Sequence, residues 1–181
     1  MSLDITRHPS MDELNLGVPE ILGSPPDDGS VEMLVVRPRE DERGTPRSVE
    51  VSGPLGIHGD HWSIGSYRGQ PDMQITIINS RLLDLVSGGR ERWALAGDNI
   101  VADLDLSHDN LKSGQRLEAG SAVLEITETP HAGCKKFASR FGADALRFVN
   151  LGRGKDLRLR GIYAQVVEPG TISVADRLHK L

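Results

Sequence analysis

The feature that most constrains the fold is a series of short apolar segments, rich in β-branched residues, that Gly- and Pro-containing turns separate. Residues 31–37 and 73–80 are dense in Val and Ile, as buried strands are. Residues 111–130 are predicted to form two strands that meet at a turn over Ala119–Gly120–Ser121. Many short strands with few helices are typical of a barrel or a sandwich, and not of a doubly wound sheet.

Further strands are predicted outside these segments, together with two helical regions. The additional strands cover residues 48–52, the neighbourhood of Ile100, residues 160–170 and a last short one within 171–180. The first helical region stops at a glycine, and the second carries two phenylalanines four residues apart on one face. These two regions are residues 80–88 and residues 132–150.

The chain is expected to form one domain preceded by an arm. Residues 1–30 are rich in Pro, Gly and Asp and show no sustained periodicity, so we interpret them as an N-terminal arm or cover segment. Residues 31–181 then form the barrel domain. A chain of 181 residues is long enough for one proper core and too short for two comfortable domains.

Composition excludes several classes of protein. A net charge of −5 argues against a general nucleic-acid binder. No apolar run approaches the roughly 18 residues of a membrane span, and the N-terminus has no apolar signal region. A single cysteine cannot form an internal disulfide, so we expect a cytoplasmic protein. Exposed strand edges of a partly open barrel would allow a homodimer.

Basic residues are concentrated in one segment of this acidic chain. Between Cys134 and Arg160 the sequence has eight basic residues and only two acidic ones. Such a local concentration suits a small anionic ligand better than a polymer, and the alternative is a solvated, salt-bridged surface. The basic residues are Lys135, Lys136, Arg140, Arg147, Arg153, Lys155, Arg158 and Arg160.

Cys134 is the strongest candidate for a chemically reactive residue. It lies at the predicted start of a helix and is followed at once by Lys135 and Lys136. Helix amides and nearby cations stabilise a thiolate, which can attack sulfur, carry a persulfide or bind a soft metal. The alternative is an inert cysteine packed in the first helical turn.

Other signatures carry less information. Gly152–Arg153–Gly154 is a lone GxG without a preceding strand, and neither a P-loop nor a nucleophile-elbow serine is present. His58 and His61 have a spacing that can ligate zinc, but a third ligand is not identifiable. A loop stabilised by histidine hydrogen bonds is the favoured interpretation of this pair.

Five segments stand in a characteristic order along the chain. They are Gly59–Asp60, the strand Gln74–Asn79, Gly97–Asp98–Asn99–Ile100, the stretch LKSGQRLEAGSAVLEITETPHAGCKKFASRFG at 111–142, and RLRGIYAQVVEPGTISVADRL at 158–178. Each motif is modest alone, but their order from about residue 31 to residue 178 resembles the MOSC family, named after the C-terminal domain of molybdenum-cofactor sulfurase. Two departures are His61, where relatives often have Arg, and Ala175, where the usual residue is Gly.

The resemblance implies a mainly β fold with short helices, an α+β protein built on a closed or partly open MOSC-type barrel. It also implies that Cys134 takes part in sulfur transfer to molybdenum cofactor or ligates molybdenum directly. Because that cofactor is a phosphorylated pterin, it is anionic, and the basic segment fits it by charge. The residues expected to bind the cofactor are Arg68, Asp98, Asn99, Lys135, Lys136, Arg158 and Arg160.

Two functions of different class follow. The first is a cofactor-binding protein that carries sulfur to a metal–sulfur centre, or a small molybdoenzyme that reduces N-hydroxylated compounds, served by a sulfur-donor or electron-donor protein. The second is a non-catalytic barrel module that binds a small anion or a partner protein. The chain has no identifiable pyridoxal phosphate site, so it is not expected to withdraw sulfur from free cysteine by that chemistry.

Overall fold

A computed structural model describes residues 7–65 and 69–181. Arg68, one of the predicted cofactor contacts, lies outside the described residues. The strands of the described part, in chain order, are β1 (Gly29–Leu34), β2 (Ser48–Ser52), β3 (Gly56–Ile57), β4 (Ile75–Asn79), β5 (Ile100–Asp103), β6 (Arg116–Ala119), β7 (Ala122–Ile126), β8 (Ile162–Glu168), β9 (Gly170–Ser173) and β10 (Arg177–Lys180).

Short helices connect and cover these strands. The α-helices are α1 (Met11–Leu16), α2 (Val18–Leu22), α3 (Ser80–Ser87), α4 (Lys135–Phe141), α5 (Ala143–Asn150) and α6 (Arg153–Asp156), and 3-10 turns lie at His61–Ser63, Pro71–Met73 and Arg90–Ala96. Within the described ranges, no helix has the length and apolar character that crossing a membrane would require.

Seven of the strands close a barrel in the order β1-β10-β6-β7-β8-β4-β5, with β5 pairing back to β1. The barrel pairs are antiparallel except β4 with β5, which are parallel and are joined through helix α3. A parallel pair needs such a crossover, and here the helix covers the outside of the barrel. The prediction of a mainly β barrel with short helices is confirmed.

A separate three-stranded sheet has the order β3-β2-β9. Its apolar side chains, among them Val49, Val51 and Ile172, join the barrel core. The single strand predicted within 171–180 is therefore wrong in detail, because the structure has two strands there, β9 and β10, in different sheets. Between them Ala175 adopts a φ of +76°, a left-handed conformation, and Asp176 Oδ2 accepts from the Ser173 amide at 2.7 Å.

Two hydrophobic cores lie on the two sides of the barrel wall. Strand β4 is buried along its whole length because alternate residues serve both cores: Ile77 points into the barrel and Ile78 toward the helices. Leu14 of α1 is fully buried in the second core. The segment before β1 thus carries helices that pack onto the barrel, and β1 itself begins at Gly29.

The helical region predicted over 132–150 is divided in two. Helix α4 begins after Cys134 and ends at Gly142, whose φ of +100° starts the separate helix α5. Phe137 and Phe141 are buried on one face as expected, with ring centroids 4.9 Å apart. The break at glycine allows α4 and α5 to change direction around these two rings.

Candidate functional site

The segment between β7 and α4 places Cys134 at the N-cap of α4. Cys134 has an extended backbone and an exposed side chain. Just before it, Gly133 is fixed by Asn150, whose Oδ1 accepts from the Gly133 amide at 2.8 Å while its Nδ2 donates to the Gly133 carbonyl at 3.0 Å. At the other end, Thr127 Oγ1 donates to the Asp72 carbonyl at 2.7 Å. The cysteine is therefore presented from an anchored segment.

The surroundings of Cys134 favour the thiolate. Partial burial raises the pKa of its thiol, but the backbone amides of Phe137 and Lys136 and the charges of Arg160 and Arg140 outweigh this, so the pKa lies below its ordinary value. Both amides belong to the first turn of α4, where backbone N–H groups have no helical partner and favour a nearby negative charge. A lowered pKa in an exposed position is typical of a reactive cysteine.

A buried ion pair lies behind Cys134. Arg160 Nη1 donates to both carboxylate oxygens of Asp98 at 2.8 Å, and the two side chains are only 9% and 1% exposed. The guanidinium also lies over the Phe137 ring, 5.0 Å from its centroid. Burial raises the pKa of the Asp98 carboxyl, and Arg160 opposes that shift. The pair thus joins the barrel to the helix that carries Cys134.

His131 is buried beside this pair. Its ring lies 4.4 Å from the Tyr163 ring, and its Nδ1 is 3.6 Å from Asp98 Oδ1. Nδ1 has no hydrogen-bond partner among the described residues, and the same holds for Nε of Arg160. Burial, together with the charges of Arg160 and Arg37, holds the pKa of His131 well below its ordinary value, so the imidazole is neutral at neutral pH.

Acidification from pH 7 to pH 5 is expected to destabilise the protein through His131. In the unfolded chain this imidazole takes up a proton near pH 6.5, whereas in the folded chain its pKa is far lower. The unfolded state therefore binds more protons, and stability falls with pH below about 6.5 by at most about 1.4 kcal/mol per pH unit. Denaturant titrations of wild type and His131→Asn at several pH values should show a steeper slope in wild type, because the pKa of His108, also lowered by burial, contributes equally to both proteins. Parallel slopes would contradict it.

A second polar network connects the barrel to the segment after β1. Asp60 accepts from Arg37 Nε at 2.9 Å and Nη2 at 2.9 Å, and from Asn99 Nδ2 at 3.0 Å. The Asn99 Oδ1 in turn accepts from the Thr76 amide at 3.1 Å. Burial raises the pKa of Asp60, but the Arg37 hydrogen bonds outweigh it and the net shift is downward. This carboxylate stays ionised.

A cavity of about 570 Å³ opens beside His131 and Arg160. Its basic lining includes Lys155 and Arg158, and Glu128 is the one acidic residue among the described residues that line it. Arg158 is half-buried, and its Nη1 donates to the Leu111 carbonyl at 2.7 Å. The lining reaches Ala132 but does not include Cys134. The cavity is therefore mainly basic, and its lining comes within two residues of Cys134 along the chain.

The predicted site residues differ in how far they are accessible to a ligand. Cys134, Lys135 and Lys136 are exposed at the start of α4, while Arg158 lines the cavity. Asp98 and Asn99 are 1% exposed each, and the polar groups of their side chains bond within the protein, so direct cofactor contact by them stays a prediction. Arg160 belongs to both the buried pair and the cavity lining.

Sequence reasoning missed His131 as a site residue, and it missed the partnership of Arg37 with Asp60. His131 stands three residues before Cys134, so that spacing was an available signal. The 23-residue separation of Arg37 and Asp60 gives no comparable one. For the histidine pair, the favoured interpretation agrees with the contacts: His58 Nε2 bonds Ser52 Oγ at 3.0 Å and His61 Nδ1 bonds the Arg37 carbonyl at 2.8 Å.

Comparison with known proteins gives both a family and a fold. A family model described as the MOSC domain matches residues 64–179, more than half of the chain. No curated protein matches the sequence significantly.

Three solved structures are similar over most of the chain. The YuaD protein from Bacillus subtilis is 20% identical with a TM-score of 0.60, covering 84% of this chain and 94% of that one. YiiM from Escherichia coli is 19% identical with a TM-score of 0.54, covering 84% and 69%. YiiM from Geobacillus stearothermophilus is 19% identical with a TM-score of 0.57, covering 84% and 75%. At these identities the likeness concerns the fold.

Proposed function

This chain belongs to the MOSC domain family, and on that premise we propose that it binds molybdenum cofactor through the Cys134 thiolate. In this proposal the protein either carries sulfur to a metal–sulfur centre or acts as a small molybdoenzyme. The observation that carries the proposal is an exposed thiol of lowered pKa, fixed at the start of α4 beside a basic cavity.

The side chains around Cys134 fit an anionic, sulfur-ligated group. A thiolate is a soft ligand of the kind that such metals accept. Lys155 and Arg158 line the adjacent cavity, and Arg fits phosphate oxygens with two donors at once. The buried His131 Nδ1 and Arg160 Nε have no partner in the described chain, which is costly unless a further group or water completes them. These atoms support the presence of an additional polar ligand near the pair.

Each residue has a defined task in this proposal. When bound, the cofactor supplies a metal centre for two-electron or sulfur chemistry. The anchored segment that ends at Gly133 holds the sulfur atom of Cys134 at the site. Arg160 stabilises negative charge on that sulfur, and Lys155 and Arg158 hold the anionic tail. His131 is neutral and offers a ring nitrogen that can exchange a proton with a bound group.

The sulfur-carrier version needs only the thiolate and a donor. The Cys134 thiolate attacks the outer sulfur of a donor persulfide, a new S–S bond forms on Cys134, and the donor leaves as its own thiolate. No net oxidation occurs, since the sulfane sulfur passes from one thiol to another. A separate sulfur-donor protein is required for this version, and an electron-donor protein for the reductase version.

Removal of the thiol is expected to abolish cofactor retention. Protein purified anaerobically from a host that makes the cofactor should contain molybdenum and pterin, and Cys134→Ser should lower both by about ten-fold or more, as loss of a metal-site group commonly does. Elemental analysis and pterin fluorescence provide the measurement. Ser139→Ala, an exposed change on the same helix, is the matched control and should retain both.

The contrary results discriminate between the functions. Equal molybdenum in wild type and Cys134→Ser would refute ligation through this thiol. Molybdenum absent from both, together with a persulfide detected on Cys134, would leave sulfur carriage as the function. Absence of both, with a thiol that resists alkylation near neutral pH, would favour the non-catalytic module, for which the cavity lined by Lys155 and Arg158 is the supporting observation.

A further inference from the structure

An acidic turn lies against the basic side chains that flank Cys134. Glu40 forms an ion pair with Lys136. Asp41 Oδ1 accepts from Arg140 Nη2 at 3.1 Å and lies 4.0 Å from Lys136 Nζ. Lys136 and Arg140 stand one helical turn apart on α4, so the two carboxylates occupy the same side of the helix as these cations.

The turn that carries the two acids is short and well defined. Val36 and Gly44 exchange backbone hydrogen bonds at 2.9 and 2.8 Å and close the loop at its base. Asp41 has a φ of +58°, a left-handed conformation that Asp tolerates better than most residues. The loop therefore projects its acids outward from a fixed base, and its tip makes the contacts to α4.

Two further arginine contacts describe this side of the helix. Arg140 is only 20% exposed, and its Nη1 donates to the Leu95 carbonyl at 2.8 Å. Arg43 lies nearby, and its buried Nε has no hydrogen-bond partner in the described ranges. Burial lowers the pKa of Arg43, and the charges of Arg140 and Arg37 lower it further, while Asp41 and Asp60 oppose the shift. An anion bound between the turn and α4 would meet the guanidinium groups of Arg140 and Arg43.

The contacts that hold the turn are individually weak. Glu40 and Asp41 are 77% and 69% exposed, and Lys136 is 54% exposed. Ion pairs between such exposed groups contribute only about 0.2–1 kcal/mol each and are screened by salt. An incoming anion can therefore replace the carboxylates without disturbing the barrel, whose core residues take no part in these pairs.

We propose that Lys136 and Arg140 form an anion site beside Cys134, and that Glu40 and Asp41 are its internal occupants. The ligand class is a small molecule carrying a carboxylate or phosphate that reacts at the thiol. In the absence of such a ligand, the Glu40 and Asp41 carboxylates occupy the site. Their negative charge then repels anions that approach Cys134 but do not displace the carboxylates from Lys136 and Arg140. The inference rests on the proposed function in taking Cys134 as the reacting residue, and it adds a charge-selective gate.

The test compares an anionic and a neutral alkylating reagent on cofactor-free protein. The Cys134 thiolate displaces iodide from iodoacetate or from iodoacetamide, forming one S–C bond and releasing one iodide in each case. The ratio of the two second-order rate constants cancels any change in thiolate fraction. The double variant Glu40→Gln/Asp41→Asn should raise the iodoacetate-to-iodoacetamide ratio by about three- to ten-fold at low salt.

Controls assign the effect to the site. Glu42→Gln removes one negative charge from the same loop, half of what the double variant removes, and its effect on the logarithm of the ratio should be less than about half that of the double variant. Addition of Lys136→Gln to the double variant should return the ratio toward the wild-type value. At 1 M salt, where screening acts within about 3 Å, the difference between variants should largely disappear.

These experiments test only the anion site at Lys136 and Arg140 and its occupation by the acidic turn. An unchanged ratio in the double variant, or a Glu42→Gln effect of half the double variant's or more on the logarithm of the ratio, would overturn the proposal. If addition of Lys136→Gln to the double variant leaves the ratio unchanged, the proposal is also overturned, because the anion site would lie elsewhere. Because alkylation needs no bound cofactor, failure here is separable from failure of the molybdenum and pterin measurements.

Discussion

Arg160→Ala is expected to lower the free energy of unfolding by about 3–5 kcal/mol, the usual cost of removing one partner of a buried ion pair. The Asp98 carboxylate is 1% exposed and would lose both of its 2.8 Å hydrogen bonds from Arg160. The contact between the guanidinium and the Phe137 ring would disappear as well. The barrel would thus keep an uncompensated charge next to a loosened α4.

Chemical denaturation provides the measurement, and two variants make it specific. Arg147→Ala removes a 68% exposed arginine paired at the surface with Asp144 at 3.7 Å, and should cost less than about 1 kcal/mol. Asp98→Leu combined with Arg160→Met removes both charges and should recover much of the loss. A cost below about 1 kcal/mol for Arg160→Ala would mean that water reaches the pair.

Gly161→Ala is the second change with a large expected effect, about 3 kcal/mol or more in the free energy of unfolding. A Cβ at this position would lie 2.4 Å from the Ile77 carbonyl oxygen, which is backbone of β4 and cannot give way easily. The φ of +99° adds strain of roughly 1–2 kcal/mol for any L side chain. Since Gly161 also lines the cavity, the barrel wall there would have to move outward.

Gly114→Ala is the matched control for this substitution. Its φ of +81° brings a similar conformational cost, but a Cβ there would meet nothing within 4 Å. The control should therefore lose about 1–2 kcal/mol. The difference between the two variants in thermal or denaturant unfolding isolates the close approach of β8 to β4. Equal losses would show that backbone conformation alone makes Gly161 necessary.

The fold was predictable where the signals are local. The Val- and Ile-rich runs at β1, β4 and β7 identify strands on their own, since such side chains suit a pleated, buried surface. The closing order of the barrel depends on pairings between distant residues, such as Gly29 with Leu178, which no local pattern encodes. The split between β9 and β10 was missed because its turn uses Ala175, where glycine is usual.

In the candidate site, too, local features could be predicted from the sequence and contacts between distant residues could not. The position of Cys134 at a helix start is a local property, and the basic residues after it are visible in the sequence. The role of Asp41 beside Arg140 is not, because 99 residues separate them. Cofactor contact by Asn99 stays a prediction, and its side chain holds Asp60 and Thr76 together, a contact that the local sequence does not encode. Long-range contacts decide which polar residues remain available.

Closure of the barrel sets an order of events during synthesis on the ribosome. Strand β1, near the start of the chain, needs β10 as a neighbour, and β10 is translated roughly 150 residues later, on the order of ten seconds at typical elongation rates. The segment with Cys134 emerges before that moment. Until β10 is made, the nascent chain leaves the edges of β1 and β6 unpaired, and such open edges can pair with other chains.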